Sequence, residues 1–186
     1  MKHIATVALM LNLGVAGVYA QQRPVKMTAS GTLEPSTINL QPNTNTDEQN
    51  LAGNGTLGPF TFRELHADPA SPQPSSTCSG PTHLYFPFVT GAGVFRFQDG
   101  SLLTVRITQG AACIDFTAVV EHLTLTYQIT GGTGRFKGAS GTLTSTGMFV
   151  PVLFNASNTP AISTNTGEFE GQVFGVAIGE EGQNER

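Results

Sequence analysis

The chain has 186 residues, thirteen of them acidic against nine Lys and Arg, and only 12% are charged. This balance argues against a protein that grips nucleic acid through its phosphates, which needs a basic face.

The first segment reads MKHIATVALMLNLGVAGVYAQQ, a short cationic start and an apolar run ending in Val18-Tyr19-Ala20. It predicts a secretory signal peptide over 1–20, cleaved after Ala20. A retained anchor fits less well, because the run is short and Asn12 and two glycines interrupt it. The mature protein is therefore expected to be secreted or periplasmic, with no membrane span. It keeps eight cations against thirteen acids, a formal charge of −5. About 166 residues suffice for one domain that buries roughly two thirds of its unfolded surface.

Beyond the leader no window keeps apolar residues at helical spacing, and Gly, Thr and Pro recur throughout. Alternating or β-branched runs predict strands near 25–33, 57–66, 84–89, 92–98, 101–108, 112–118, 120–130, 141–150 and 166–177. Two polar segments, 36–50 and 67–81, predict surface loops. Asp99-Gly100 sits between two alternating runs and signals a tight hairpin. Cys78 and Cys113 form an even pair in an exported chain, which favours a disulfide tethering the second loop; two free buried thiols are the alternative. The last residues, 179–186, read as a frayed tail after a domain over 21–178.

Alternation also sorts the faces. Leu103, Val105 and Ile107 oppose Thr104, Arg106 and Thr108; Leu123, Leu125, Tyr127 and Ile129 oppose His122, Thr124, Thr126 and Gln128. An all-β sheet of about eight such strands can close into a single antiparallel barrel with the oily set inside. A two-sheet sandwich fits the same alternation.

The segment Ile129 to Gly141, ITGGTGRFKGASG, looks at first like a site. It fails as a phosphate loop: no helix has room to follow, Lys137 stands where a third glycine is required, and Phe136-Lys137-Gly138 is not Gly-Lys-Ser/Thr. Gly138-Ala139-Ser140-Gly141 is not a nucleophile elbow either. The segment predicts a wide hairpin whose glycines take positive φ while Phe136 turns inward to cover one end of the interior. The string Gly131-Gly132-Thr133-Gly134-Arg135-Phe136, with Gly138-Ala139 and Gly141, resembles the matching segment of dirigent proteins and allene oxide cyclases. The chain is most similar to the small exported bacterial members of that superfamily. The resemblance implies a calycin-like eight-stranded antiparallel barrel and a trimeric habit, and it transfers no catalytic residue.

On the run from Phe60 to His66, residues Phe60, Phe62, Glu64 and His66 share one face, and the phenylalanines mark it as inner. That would put a carboxylate and an imidazole at the mouth of an apolar cavity, with Tyr127 able to join them. Phe60, Phe62, Glu64, His66, Tyr127 and Phe136 are the candidate ligand-binding set, and Glu64, His66 and Tyr127 the candidates for proton handling. Fraying near Asp68-Pro69 would instead leave both polar groups in water. Arg96 and Arg106 read as barrel exterior, and Glu168 and Glu170 as solvent carboxylates. Histidine spacing supports no metal site, and no cofactor is implied. A non-enzymatic protein binding a small apolar or amphipathic molecule is the preferred reading; an isomerase or cyclase, and a structural oligomeric module, are the alternatives.

Overall fold

The computed structural model describes residues 22–75, 77–78 and 83–177, so the predicted signal peptide over 1–20 and the predicted tail over 179–186 lie outside the described residues. Nine strands follow one another: β1 (Arg23–Pro35), β2 (Thr44–Gly55), β3 (Phe60–Pro69), β4 (His83–Pro87), β5 (Thr90–Phe97), β6 (Leu102–Asp115), β7 (Val120–Gly132), β8 (Ser140–Phe154) and β9 (Pro160–Phe174). Every pairing is antiparallel, in the order β6-β5-β3-β2-β1-β9-β8-β7, and β7 returns to β6. The sheet closes on itself as an eight-stranded barrel, which excludes the sandwich. Short β4 adds to the far half of β6 in line with β5: His83 faces Asp115 and Arg96 faces Leu102, the same offset for both strands. The break between them falls at Phe88 and Val89, whose N–H groups donate to the carbonyls of Gly110 and Ala67.

Three expectations are corrected. The polar segment 36–50 is not a loop throughout, because Thr44–Gly55 is β2, paired along its length with β1 and β3. Its inward positions, Asp47, Gln49, Leu51 and Gly53, are set by pairing with His66, Glu64, Phe62 and Phe60; two of the four are polar, so no apolar period marks the strand. The runs 101–108 and 112–118 are one strand, β6, with a bulge between Ile107 and Gln109. An extra residue in one strand shifts the alternation by one, so the buried set passes from Leu103 and Val105 to Ala112. The run 57–66 begins and ends three residues late, as Phe60–Pro69.

The expected tight turn at Asp99-Gly100 is present, with Gly100 at φ +81° and its N–H donating to Phe97 O. Cys78 and Cys113 form a disulfide.

One half of the barrel is filled by its own side chains. Phe62 and Phe95 stack at 4.2 Å, Phe169 meets both edge-on at 5.3 and 5.1 Å, and Phe60 packs on Phe95 at 5.4 Å. Each buried ring contributes about 1.5–3 kcal/mol. The glycine segment closes this end. Gly131, Gly134, Gly138 and Gly141 have positive φ, and a 3₁₀ turn over Gly134–Phe136 drives Phe136 inward to complete burial against Phe97. Arg135 pins the closure from outside: its guanidinium lies over the Phe97 and Phe136 rings, pairs with Asp99 at 3.2 Å and donates to Leu57 O.

Candidate functional site

The inner face of β3 carries Phe60, Phe62, Glu64 and His66 in turn, and all four are buried. Glu64 is fully enclosed and His66 only 3% exposed, so neither frays into water. A carboxylate taken out of water needs partners, and Glu64 has two. Oε1 accepts the His66 Nδ1–H at 2.8 Å, and Oε2 accepts the Tyr127 hydroxyl from β7. With Nδ1 committed to Glu64, the other ring nitrogen of His66, Nε2, has no hydrogen-bond partner among the described residues.

Room for this arrangement comes from β5. Across from Glu64 and His66 stand Gly93 and Gly91, so β5 sends no side chain inward there. A Cβ on Gly91 would lie 2.9 Å from His66 Cβ and 2.5 Å from Ile107 Cδ1. Phe88, at the break before β5, packs edge-on against the imidazole at 4.6 Å.

His66 is the floor of a cavity of about 810 Å³ at the end of the barrel opposite the glycine hairpin, within the range of small-molecule sites. Asp47, Asp68 and Glu121 join His66 in lining it, and Phe86, Phe88 and Phe149 supply apolar wall. The rim is apolar and wet: Ile38, Phe116, Val119 and Phe154 line the opening and are exposed. Among the candidates read from sequence, Glu64 and Tyr127 sit directly behind His66, while Phe60, Phe62 and Phe136 lie in the filled half; His66 alone lines the cavity.

Sequence reasoning missed the three carboxyls around His66. Asp68 is the next same-face residue of β3, Glu121 precedes Leu123 on the inner face of β7, and Asp47 is the cross-strand partner of His66. Carrying the alternation one step past each apolar run would have found the first two; the third required knowing that β2 exists.

The groups perturb one another. Burial pushes the Asp68 carboxyl up to about 6, and the charge of Asp47 adds to it. Burial likewise pushes Glu121 up to about 7, with His66 opposing and Asp47 and Asp68 reinforcing. Asp47 is raised by burial, against the pull of His66. Burial disfavours the imidazolium of His66, yet the hydrogen bond to Glu64 and the charges of Glu64, Asp47 and Glu121 outweigh it, so its pKa lies above the ordinary value. Burial, then Glu64, holds the Tyr127 phenol well above its usual range. Near neutrality the cavity floor is thus a proton-exchanging cluster around one fixed ring nitrogen.

The other polar candidates lie elsewhere. Arg96 and Arg106 are exposed, the latter donating to Gln128. Glu170 pairs with Lys26 in solvent, and His83 pairs with Asp115 at 3.3 Å.

No family model and no curated relative matches the chain. Among solved structures it is similar to the pterocarpan synthase dirigent protein GePTS1, at 14% identity over 87% of this chain and 88% of that one, with a TM-score of 0.44. It is also similar to the pterocarpan synthase dirigent protein PsPTS1, at 12% identity over 86% and 99%, with a TM-score of 0.42. At these identities the likeness is one of barrel fold alone.

Proposed function

We propose that the chain binds a small amphipathic molecule in the mouth cavity, its apolar body against the phenylalanines and its polar head against His66 and the carboxyls. The observation that carries this reading is the division of the barrel, filled to one end by aromatic rings and left open at the other over a polar floor. Fluorescence titration with the neutral dye Nile red tests it. The purified protein is expected to bind the dye, and Ser163→Phe, which adds a ring to the cavity from the buried β9 position Ser163, is expected to abolish binding while circular dichroism stays unchanged. Absence of dye binding, or binding untouched by Ser163→Phe, would overturn the reading.

The chain of hydrogen bonds from Tyr127 through Glu64 to His66 favours a second reading, in which the bound molecule is isomerised or cyclised by proton exchange at His66 Nε2. Glu64 and Tyr127 are then positioning residues acting through the imidazole. Such turnover would fall in His66→Gln and keep its rate but change its pH profile in Tyr127→Phe; equal rates in wild type and His66→Gln would sink it.

A further inference from the structure

We infer that the molecule taken up by the mouth cavity carries a cationic amine, an ammonium head seated among Asp47, Asp68 and Glu121 with its hydrocarbon body along the phenylalanines. This rests on the binding reading above and adds the chemistry of the head group.

The first argument is sign. Asp47, Asp68, Asp115 and Glu121 line the cavity, and among the described residues that line it there is no Lys or Arg. Asp115 is engaged with His83 at the rim. The other three come from β2, β3 and β7 and converge beside His66, the only other titratable side chain of the lining, while Glu64 behind it is committed to His66 and Tyr127. An anionic head would meet three carboxyls here, with the His66 imidazole the one group of the lining able to oppose them.

The second argument is unmet hydrogen bonding. Asp68 Oδ1 is buried with no donor among the described residues, and His66, 97% enclosed, lines the cavity with no hydrogen-bond partner for Nε2 among the described residues. A buried carboxyl oxygen without a donor is costly, and an ammonium brings up to three donors and the opposite charge in one group. The phenylalanine walls suit the same ligand, since a cation beside aromatic faces gains the attraction of their quadrupoles. No group of three carboxyl, imidazole or thiol side chains among the described residues is placed to hold a metal ion, so the negative charge fits a larger, organic cation.

The third argument is linkage. Burial, reinforced by neighbouring carboxylates, keeps protons on Asp68 up to about pH 6 and on Glu121 up to about pH 7. A bound ammonium relieves that repulsion and expels protons, so affinity rises with pH through the range where Asp68, Glu121 and His66 titrate. A neutral hydroxyl head has no such dependence.

Calorimetric titration with three probes that share a phenylethyl body, 2-phenylethylamine, 2-phenylethanol and 3-phenylpropanoate, tests the inference. At about pH 8 the amine is expected to bind at least about tenfold more tightly than the alcohol, and the advantage is expected to shrink to within about threefold near pH 5.5. Asp68→Asn and Glu121→Gln are each expected to weaken the amine by about three- to tenfold more than they weaken the alcohol, with circular dichroism as the check that the variants are folded. Alcohol or carboxylate binding as tightly as the amine at about pH 8 would overturn the inference. If Nile red binds and none of the three probes does, the cavity reading stands and the amine inference falls; if Nile red also fails, both fall.

Discussion

The ring of Phe62 occupies the space that a side chain on Gly93 would need: a Cβ there would lie 2.5 Å from Phe62 Cε2 and 2.6 Å from Cζ. The ring cannot swing aside, because it stacks on Phe95 and meets Phe169 and Tyr127 edge-on. Gly93→Ala is therefore expected to destabilise the barrel by about 2–3 kcal/mol. Urea unfolding checks this, with Gly93→Ala/Phe62→Leu expected to recover part of the loss.

Tyr127 supplies one of the two donors that Glu64 receives inside the barrel. Tyr127→Phe keeps the ring and removes the donor, leaving Oε2 enclosed and unpaired. A loss of about 1–3 kcal/mol is expected in the same unfolding assay. A loss below experimental error would mean that Glu64 does not depend on the phenol.

Asp47, His66, Asp68 and Glu121 are all shifted upward, so between the unfolded carboxylate range and neutrality the folded chain holds protons that the unfolded chain has released. Their contribution is fully present below the unfolded pKa values and is lost as pH rises through the folded ones, about 6 for Asp68 and about 7 for Glu121. Melting temperature is expected to fall from about pH 5 to about pH 8, by the equivalent of about 2 kcal/mol once solvent screening is allowed for. The double variant Asp68→Asn/Glu121→Gln is expected to flatten the profile. A wild-type protein more stable at the higher pH would contradict the clustering.

The Cys78–Cys113 bridge spans 35 residues and ties the segment before β4 to the end of β6. Replacing both cysteines by serine is expected to remove about 3–4 kcal/mol, mainly by freeing the unfolded chain. Because β4 carries Phe86 of the cavity wall, Nile red affinity is expected to drop as well, measured below the melting transition.

Val119, in the turn between β6 and β7, has φ +54°, a conformation that a β-branched residue adopts only under strain. It is also half exposed at the cavity rim. Val119→Gly is expected to stabilise the protein by about 1 kcal/mol while weakening dye binding. A stabilised variant with unchanged affinity would mean that the strain serves nothing at the mouth.

The fold was legible wherever the inner positions were apolar. Phe60 and Phe62 set the parity that carried Glu64 and His66 inward, and Leu123 and Leu125 did the same for Tyr127. The alternation failed where it changed phase, at the Thr108 bulge, and where the inner face itself is polar, at Asp47 and Gln49 of β2. The second failure concealed Asp47, one of the three carboxyls around His66. Pairing across strands, which a single sequence does not display, is what brings Asp47 to His66.

The separation of the barrel into a sealed half and an open half has a consequence for how such a chain can change over generations. The rings that secure the fold sit toward the glycine hairpin, whereas Asp47, Asp68 and Glu121 sit near strand ends at the other mouth. Substitutions at sites without shared partners act nearly independently on stability. On the binding reading proposed above, a lineage can therefore exchange one guest molecule for another by altering those few mouth positions, while the aromatic half is inherited intact.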